Sequence, residues 1–480
     1  MKALTTVPDS LTMGVLSNLR RRAWCWFFLL VAGLWLMLLG AGLPSAVAGQ
    51  PSDRVVVMIS VDGLAGYYLD DPKAEMPAIR ALAAAGARAS SMKASTPTVT
   101  WPNHTTLVTG VNPARHGVVG NNYLDRATGK RVTLIRDPVY DKDEIVKVPT
   151  IYDLAKARGL TTAAIRWPAT RNAKTLDWTI PAMAPGKPMR RYTTPALLKA
   201  CQRAGIPLEA EAGGQGGDGL SDATCTRVFD LILHEDRPNL ALLHISEVDH
   251  TQHLHGPRSP EAYAAVKNAD GQVREVWDEL KRDFPGQATL LIVSDHGFSP
   301  TRRIILPNVL LRKAGLSGSG ASAPVKLVSQ GGAAMVYVLG DTNHERLVAQ
   351  VRKTLSGLEG LSKIIGPESY EAYGVADPKD DPHAPDLLLF AEEGCAFGDT
   401  ADGALPFKDK PERRGSHGHD PNLSDLHATF VAWGAGIKPG VNLGEIANTT
   451  VAPTIAQLLG FAIPGAEGKP LSAALIGTRD

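Results

Sequence analysis

Three unbroken apolar runs, each followed closely by an aspartate, constrain the fold of this chain most strongly. Asp62 follows the run "VVVMISV", Asp249 closes the segment "NLALLHISEVD", and Asp295 follows "ATLLIVS". A short continuous apolar run is typical of a strand buried on both faces of a parallel sheet. We therefore predict a sheet core in which these three strands take part.

Helical patterns alternate with these strands. The segment "MPAIRALAAAGA" has apolar residues at helical spacing and stops at Gly86, and the segment from Ser259 to Phe284 predicts a long helix. Ser259 suits the cap of that helix and Pro260 its first turn. The segments "PDLLLFAEE" and "LHATFVAWG" predict two further strands of the same kind. Strands that alternate with helices indicate an α/β fold.

Length and composition limit the number of domains and the kinds of partner. The chain has 480 residues, 44% hydrophobic and 21% charged, with a formal net charge of +1. This near-neutral balance argues against a nucleic-acid polymer as a partner. Basic residues that bind an anionic substrate must therefore be concentrated at the binding site. We predict one catalytic domain over residues 49–480, with insertions in the Pro- and Gly-rich regions near 170–225 and 300–384.

The first 48 residues are predicted to be a signal peptide. Three arginines, Arg20 to Arg22, precede an uncharged apolar run, and "PSAVAG" then offers an A-x-A cleavage site at Ala46 and Ala48. A retained N-terminal anchor is the alternative, because the apolar run is long. We predict an exported protein, periplasmic or extracellular, which contacts a membrane only if this segment is retained.

Three cysteines lie outside that segment. In an oxidising compartment Cys201 and Cys225 can form a disulfide, which would leave Cys395 as a thiol. No C-x-x-C spacing is present, which argues against a zinc site made of cysteines.

Aspartate and histidine residues at the strand ends predict a metal centre. Ligands in open α/β sheets bind beyond the carboxyl ends of the strands. His253 follows Asp249 by four residues, His296 follows Asp295 directly, and His417 lies in the Gly-rich loop "RRGSHGHDP". Mixed carboxylate and imidazole ligands suit Zn²⁺. The predicted ligand set is Asp62, Asp249, His253, Asp295, His296 and His417, enough for two metals that clamp an in-line displacement at phosphorus.

The segment "STPTVTWPNHTTLVTGVNPARHGVVGNN" supplies a candidate nucleophile. Its pattern predicts an extended run that meets a short helix, with Pro102 in the first turn and Gly110 at the end. Thr100 then lies at the helix N-terminus, where negative charge is favoured. Coordination to Zn²⁺ would activate its hydroxyl, and Asn121 can donate a hydrogen bond to a phosphoryl oxygen.

The chain resembles the nucleotide pyrophosphatase/phosphodiesterase family of the alkaline phosphatase superfamily. The resemblance is carried by "VDG", "TWPNHTTLVTGVNPARHGVVGN", "WPAT", "EVDHTQHLHGP", "SDHG" and "GSHGHD", which occur in the family's order. It implies an alkaline-phosphatase-like three-layer α/β sandwich, in which a mostly parallel central sheet has helices on both faces and small inserted cap regions.

The resemblance also implies a role for each matching residue. Thr100 matches the nucleophile that forms a covalent phospho-enzyme, and Asn121 matches the phosphoryl-binding asparagine. Asp62, Asp295 and His296 match the ligands of the zinc that also binds Thr100. Asp249, His253 and His417 match the ligands of the second zinc, which activates the hydrolytic water. Trp101 matches an aromatic residue that can pack against a nucleobase, and a core or rim aromatic is the equal alternative.

One departure from the family pattern concerns the preferred ester. The family often has "WPGS" where this chain has "WPAT", and Arg166 precedes that segment. An Arg beside the phosphoryl group would favour dianionic monoesters. We expect a mostly surface position for Arg166. A phosphomonoesterase or phosphonate hydrolase of the same superfamily remains the alternative function.

Two other functions are less well supported. Sulfatases share the spacing of Pro102, Thr109 and Gly110, but Thr100 cannot become formylglycine and His104 stands at their Arg position. A non-enzymatic binding module is disfavoured because every predicted catalytic and ligand position carries a competent residue. The prediction is an exported two-zinc phosphodiesterase or nucleotide pyrophosphatase that hydrolyses a small phosphorylated substrate through a phospho-threonine intermediate.

Overall fold

The computed structural model of the protein describes residues 53–135, 140–183, 187–208, 220–317, 323–340 and 343–477. Its strands are β1 (Val55–Val61), β2 (Ala87–Arg88), β3 (Ser91–Lys93), β4 (Asn122–Asp125), β5 (Lys130–Thr133), β6 (Thr162–Ile165), β7 (Trp178–Ile180), β8 (Leu240–Ile245), β9 (Ala288–Val293), β10 (Ser299–Ile305), β11 (Val325–Ser329), β12 (Ala333–Val338), β13 (Leu361–Ile365), β14 (Leu387–Ala391), β15 (Gly394–Phe397), β16 (Phe407–Asp409), β17 (Gly415–Ser416), β18 (Phe430–Gly434), β19 (Val441–Asn442) and β20 (Glu445–Ala447). Its α-helices are α1 (Pro77–Ala85), α2 (Thr100–Thr109), α3 (Pro113–His116), α4 (Lys142–Ile145), α5 (Ile151–Lys156), α6 (Lys187–Tyr192), α7 (Pro195–Arg203), α8 (Asp222–Asp236), α9 (Glu247–His255), α10 (Pro260–Asp283), α11 (Pro307–Lys313), α12 (His344–Leu355), α13 (Pro367–Tyr373) and α14 (Val451–Leu458).

The three predicted apolar strands lie side by side in an eight-stranded sheet. The strand order is β19-β2-β18-β9-β1-β8-β6-β7. β1 pairs in parallel with β8 on one side and with β9 on the other. β18 is antiparallel to both of its neighbours. All other neighbouring pairs are parallel, so the sheet is mostly parallel. The carboxyl ends of β1, β8 and β9 therefore meet at one edge, as the sequence predicts.

Helices cover both faces of this sheet. Alternate residues of β1 point to opposite faces, so Val57 and Ile59 join one apolar cluster and Val56 and Met58 the other. The first cluster takes residues from α1, α8 and α10, and the second takes residues from α2, α5 and α14. Two cores on either side of one sheet make a three-layer sandwich.

A second, smaller sheet lies within the later part of the chain. Its order is β11-β12-β14-β13, and all of its pairs are antiparallel. The segment "PDLLLFAEE" forms β14 here, which confirms the predicted buried strand and places it in the smaller sheet. β14 is also buried on both faces, between two further apolar clusters, which gives it the same continuous apolar sequence.

The predicted helix boundaries agree with the structure. Ser259 caps α10, accepting a hydrogen bond from the Ala262 N–H at 3.1 Å, and Pro260 occupies the first turn. α1 ends at Gly86 and α2 at Gly110, whose φ of 72° is the left-handed conformation that glycine adopts without strain.

Residues 51–480 form one compact unit. The predicted signal segment lies outside the described residues. Among the described helices, none combines the length and the hydropathy needed to cross a membrane. Cys201 and Cys225 are thiols, so the disulfide considered above is not formed, and both pack into the apolar cluster on one face of the sheet.

Candidate active site

Three aspartates converge at the edge where the central strands end. Asp62 directly follows β1, and Asp295 lies two residues beyond β9. Asp249 lies in the first turn of α9, the helix that follows β8. Each aspartate has histidine neighbours, and together they form two groups of three ligands, with the ligand atoms of each group within 4.8 Å of one another.

All three residues of the first group are buried. It consists of Asp62, Asp295 and His296. The His296 Nε2 atom lies 3.1 Å from Asp295 Oδ2 and 3.4 Å from Asp62 Oδ1. All three residues were predicted as ligands of one metal, and the structure brings them together.

The second group lies closer to solvent and joins α9 to the Gly-rich loop. It consists of Asp249, His253 and His417. The Nε2 atom of His253 lies 3.5 Å from Asp249 Oδ2, and the Nε2 atom of His417 lies 3.4 Å from Asp249 Oδ1. The structure therefore also brings together the three residues predicted to hold the second metal.

Hydrogen bonds around the imidazoles fit metal coordination. The Nδ1 atoms of His253, His296 and His417 lie 3.0 Å from the backbone carbonyls of Gly415, Gly297 and Thr98, respectively. An Nδ1–H that donates to a carbonyl leaves the Nε2 lone pair facing the ligand group. The Nε2 atoms of His253 and His417 are 3.2 Å apart, so two lone pairs face each other. A cation between them resolves that repulsion.

Buried acceptors without donors also fit a cation. Within the described residues, one carboxylate oxygen each of Asp62, Asp249 and Asp295 is buried without a hydrogen-bond partner, and so is His296 Nε2. Leaving such groups unpaired costs about 1–3 kcal/mol each, and more when they are charged. Divalent cations shared by the two groups would satisfy all of them.

Burial also shifts the pKa values of these candidate ligands. Desolvation raises the pKa of Asp62 and of Asp295 well above the usual value, and repulsion between the aspartates adds to the effect. Desolvation lowers the pKa of His253 and of His417 to about 3, so both rings are neutral at pH 7. Neutral imidazoles are the form that binds a metal.

Thr100 is the first residue of α2 and lines the same cavity as these ligands. The residue before it, Val99, is extended (φ −131°, ψ 161°), which confirms the predicted change from extended chain to helix. Every residue of α2 is buried, so its N-terminus is held rigidly. The helix dipole there favours an anion beside Thr100.

Asn121 and Trp101 are held together next to Thr100. The backbone N–H of Trp101 donates to Asn121 Oδ1 at 2.8 Å, which leaves the side-chain NH₂ group of Asn121 as a donor for the cavity. The Asn121 N–H donates to Gln330 Oε1 at 3.1 Å. Trp101 is 3% exposed and packs with Val118 and other apolar residues, although it also lines the cavity.

Arg166 is not at the surface, so that expectation was wrong. It is 2% exposed and lines the cavity. Its Nη1 donates to Asp222 Oδ1 at 2.7 Å, and its Nη2 donates to Ser246 Oγ. The buried carboxylate of Asp222 draws the guanidinium inward and compensates for its desolvation.

Sequence reasoning missed two residues of the site. His244 lies within β8, and its Nε2 is 3.0 Å from Asp62 Oδ2, while its Nδ1 lies 3.0 Å from the Arg166 carbonyl. The sequence signal that could have revealed His244 was a single histidine inside an otherwise apolar strand. Gln330, which supports Asn121, comes from a distant segment and has no such signal.

The ligand groups open into a cavity of about 860 Å³. Besides the residues above, its lining includes the basic residues Arg131 and Arg413 and the apolar residues Ile135, Met183 and Phe397. The cavity therefore has basic groups and an apolar wall, with Arg131 ion-paired to Asp399 of the same lining at 2.5 Å. This combination suits a small ligand with an anionic group and an apolar group.

A family model described as type I phosphodiesterase / nucleotide pyrophosphatase matches residues 56–420. The chain belongs to this family. The match covers both ligand groups, Thr100 and Asn121, and it confirms the predicted family, whose named members include phosphodiesterases and nucleotide pyrophosphatases.

Curated relatives are moderately similar. An uncharacterized pyrophosphatase/phosphodiesterase of Schizosaccharomyces pombe is 26% identical over 84% of this chain and 76% of its own length. Ectonucleotide pyrophosphatase/phosphodiesterase family member 3 of Mus musculus is 26% identical over 51% of this chain. A venom phosphodiesterase of Macrovipera lebetinus is 28% identical over 54% of this chain. The matched parts span about a quarter of the mouse and viper proteins, 25% and 26%.

Solved structures share the fold. Murine ectonucleotide pyrophosphatase/phosphodiesterase 5 superposes with a TM-score of 0.66 at 20% identity, covering 87% of this chain and 97% of the murine chain. The human protein of the same name gives the same TM-score, 0.66, at 21% identity. This likeness confirms the predicted alkaline-phosphatase-like α/β fold.

Proposed function

We propose that the protein is an exported two-zinc phosphodiesterase or nucleotide pyrophosphatase that works through a phospho-threonine intermediate. The observation that carries the proposal is that Thr100 lines one cavity together with Asp62 of the first Asp/His group and with all three residues of the second. A metal-assisted hydrolysis needs these parts: ligands for cations, a nucleophile, and room for a small substrate.

The ligands support zinc as the metal. Asp62, Asp295 and His296 would hold one ion together with the Thr100 hydroxyl. Asp249, His253 and His417 would hold the other. One imidazole and two carboxylates, or two imidazoles and one carboxylate, are donor sets that suit Zn²⁺. Bound zinc would lower the pKa of the Thr100 hydroxyl and of water and would stabilise charge on the oxygens around phosphorus.

Thr100 is the proposed nucleophile. Its Oγ1 attacks phosphorus in line, and the bond to the leaving oxygen breaks on the opposite side. Water then attacks the phospho-threonine, the bond between Oγ1 and phosphorus breaks, and the hydroxyl is regenerated. The N-terminus of α2 favours the negative charge that develops beside Thr100 in both steps.

Asn121 is the proposed donor to a non-bridging phosphoryl oxygen. Because its Oδ1 accepts from the Trp101 N–H, its amide NH₂ group is fixed before the substrate binds. A preorganised donor of this kind stabilises charge in the transition state without reorganisation. Residues 49–480 would act as one catalytic domain. Gln330, which comes from the predicted later insertion, supports Asn121 in the site.

The proposed substrate is a small phosphodiester or pyrophosphate such as a nucleotide, rather than a nucleic-acid polymer. The relatives named ectonucleotide pyrophosphatases support this class, and the murine structural relative is described as an inactive threonine-to-alanine variant in complex with AMP. Trp101 and Phe397 give the cavity the aromatic surface that a base can pack against. Export is supported by the N-terminal sequence pattern and by the names of ectoenzyme and venom relatives.

A comparison of three chromogenic esters tests the proposal. The zinc-loaded mature protein is assayed for kcat/KM on bis-p-nitrophenyl phosphate, on p-nitrophenyl phosphate and on the p-nitrophenyl ester of thymidine 5′-monophosphate, with EDTA as the control. We expect both diesters to be preferred and all activity to be lost on chelation. Preference for the monoester would instead support the phosphomonoesterase alternative, and EDTA-resistant activity would contradict the metal mechanism.

A further inference from the structure

A second group of ligating side chains lies between two helices away from the cavity. Asp230 and His234 lie four residues apart on α8, and Glu279 and Asp283 lie four residues apart on α10. Residues four apart occupy one face of a helix, and these two helices pack against each other. The ligand atoms of His234, Glu279 and Asp283 all lie within 4.8 Å of one another, and the carboxyl group of Asp230 is within hydrogen-bonding reach of Glu279.

The group contains a buried carboxylate with an unused oxygen. Glu279 is 6% exposed, and its Oε1 is buried without a hydrogen-bond partner among the described residues. Asp230 Oδ1 is also buried without a hydrogen-bond partner among the described residues. A buried acceptor without a donor costs free energy, which a cation at this point would recover.

The charges around these oxygens are unbalanced. In the part of the chain that the structure describes, no Lys or Arg forms an ion pair with Asp230 or Glu279. Arg282 donates to Asp283 from the solvent side, at 2.8 Å and 3.2 Å, and His234 Nδ1 lies 3.3 Å from Asp283 Oδ2. When ionised, the three carboxylates carry three negative charges and Arg282 carries one positive charge, which leaves a deficit that a divalent cation neutralises.

We infer that Asp230, His234, Glu279 and Asp283 form a cation site that takes Zn²⁺ or a similar first-row divalent metal and links α8 to α10. His234, Glu279 and Asp283 are its ligands, and Asp230 faces Glu279 beside them. One imidazole and two carboxylates make three ligands, and water can complete a tetrahedral zinc site. The mixture of oxygen and imidazole nitrogen selects first-row metals over Ca²⁺, which takes oxygen alone.

This site is independent of the proposed catalysis, because none of its four residues lines the catalytic cavity. Zn²⁺ would act here as a structural cross-link between two helices of one layer. Binding to the folded state alone stabilises a protein, so occupancy would also raise the melting temperature.

Zinc content tests the inference directly. The mature protein, Glu279→Gln and His234→Ala are dialysed against a series of buffered free Zn²⁺ concentrations, and bound zinc per chain is measured by mass spectrometry. We expect each variant to hold one equivalent less than the wild type. Glu275→Gln is the matched control, because this exposed carboxylate lies one turn earlier on the same helix, and it should hold as much zinc as the wild type.

Two further results decide the question. The exposed ring of His234 makes His234→Ala informative even if Glu279→Gln fails to fold, since its side chain is 71% exposed. A crystal equilibrated with Zn²⁺ should give an anomalous peak at the zinc edge between His234, Glu279 and Asp283. Equal zinc content in the wild type and in the folded variants, or no such peak at saturating Zn²⁺, would overturn the inference.

Discussion

Arg166 Nη1 lies 2.7 Å from Asp222 Oδ1, and neither side chain is more than 3% exposed. Asp222 also accepts from the backbone N–H of Ser246 at 3.1 Å and from that of Glu247 at 2.8 Å. The N–H groups of Ser246 and Glu247 lie at the N-terminus of α9, the helix that carries Asp249. The ion pair therefore holds the start of the helix that carries Asp249 and His253.

Removing this carboxylate should be costly. In Asp222→Ala, Arg166 remains buried without its partner, and we expect the free energy of unfolding, measured in urea, to fall by about 3–5 kcal/mol. Asp70→Ala is the control, because its pair with Arg88 has side chains 26% and 67% exposed and should be worth about 0–1 kcal/mol. A loss as small as that of the control would argue against this role for Asp222.

The nucleophile can be tested separately from the metals. Thr100→Ala should lower kcat by a factor on the order of 10⁴ to 10⁶ while leaving the zinc content near that of the wild type. Thr100→Ser keeps a hydroxyl and should retain measurable turnover. The measurement needs protein free of host phosphatase, and full activity in Thr100→Ala would remove Thr100 from the mechanism.

The ligand assignment gives a separate prediction. Asp249→Ala removes the carboxylate that faces both His253 and His417, so the variant should lose the zinc of the second ligand group. Metal analysis after dialysis measures this loss. Glu247→Ala changes a carboxylate in the same helical turn, outside the ligand groups, and should keep its zinc. A zinc content equal to that of the wild type in Asp249→Ala would show that Asp249 is no ligand.

Asn121 should matter for the transition state more than for substrate binding. Asn121→Ala removes one donor to the phosphoryl oxygens, and we expect kcat on a diester to fall by about 10²–10³-fold. Gln330→Ala should have a smaller effect, because Gln330 supports the Asn121 backbone and does not meet the phosphoryl group. A rise in KM at constant kcat in Asn121→Ala would contradict the proposed role.

The sequence predicted the clustering of these Asp and His residues because they combine two local signals. Asp62 and Asp295 end long apolar strands, and parallel strands bring their carboxyl ends together whatever the connecting loops do. His253 lies one helical turn after Asp249, so a helix places both on one face. These relationships follow from chain periodicity and need no knowledge of the loops.

The remaining features depend on contacts between distant segments. Nothing near Arg166 in the chain indicates that Asp222 will enclose it, because 56 residues separate the two. Gln330 supports Asn121 from 209 residues away. The apolar run of β14 does not reveal which sheet it joins, since burial on both faces gives the same pattern in either sheet. Long-range pairing of this kind leaves no periodic pattern in the sequence.

A buried histidine outside the metal ligands should set part of the acid stability. His116 is fully buried, and its Nδ1 accepts from the Val118 N–H at 3.1 Å while its Nε2 lies 3.1 Å from Thr106 Oγ1. Burial lowers its pKa to about 3 in the folded protein. An unfolded histidine has a pKa of about 6.5. The unfolded chain therefore takes up the proton first, and stability is lost as the pH falls from about 6.5 toward 3.

The variant His116→Gln isolates this contribution. Glutamine retains a polar group beside Thr106 but takes up no proton, so its stability should fall less steeply with acid. Within the window each pH unit costs the wild type about 1.4 kcal/mol for this one proton. Urea unfolding of both proteins at several pH values between 7 and 4 measures the difference, and metal release at low pH affects both equally. Parallel stability curves would mean that His116 is protonated in the folded protein, or does not drive the acid transition.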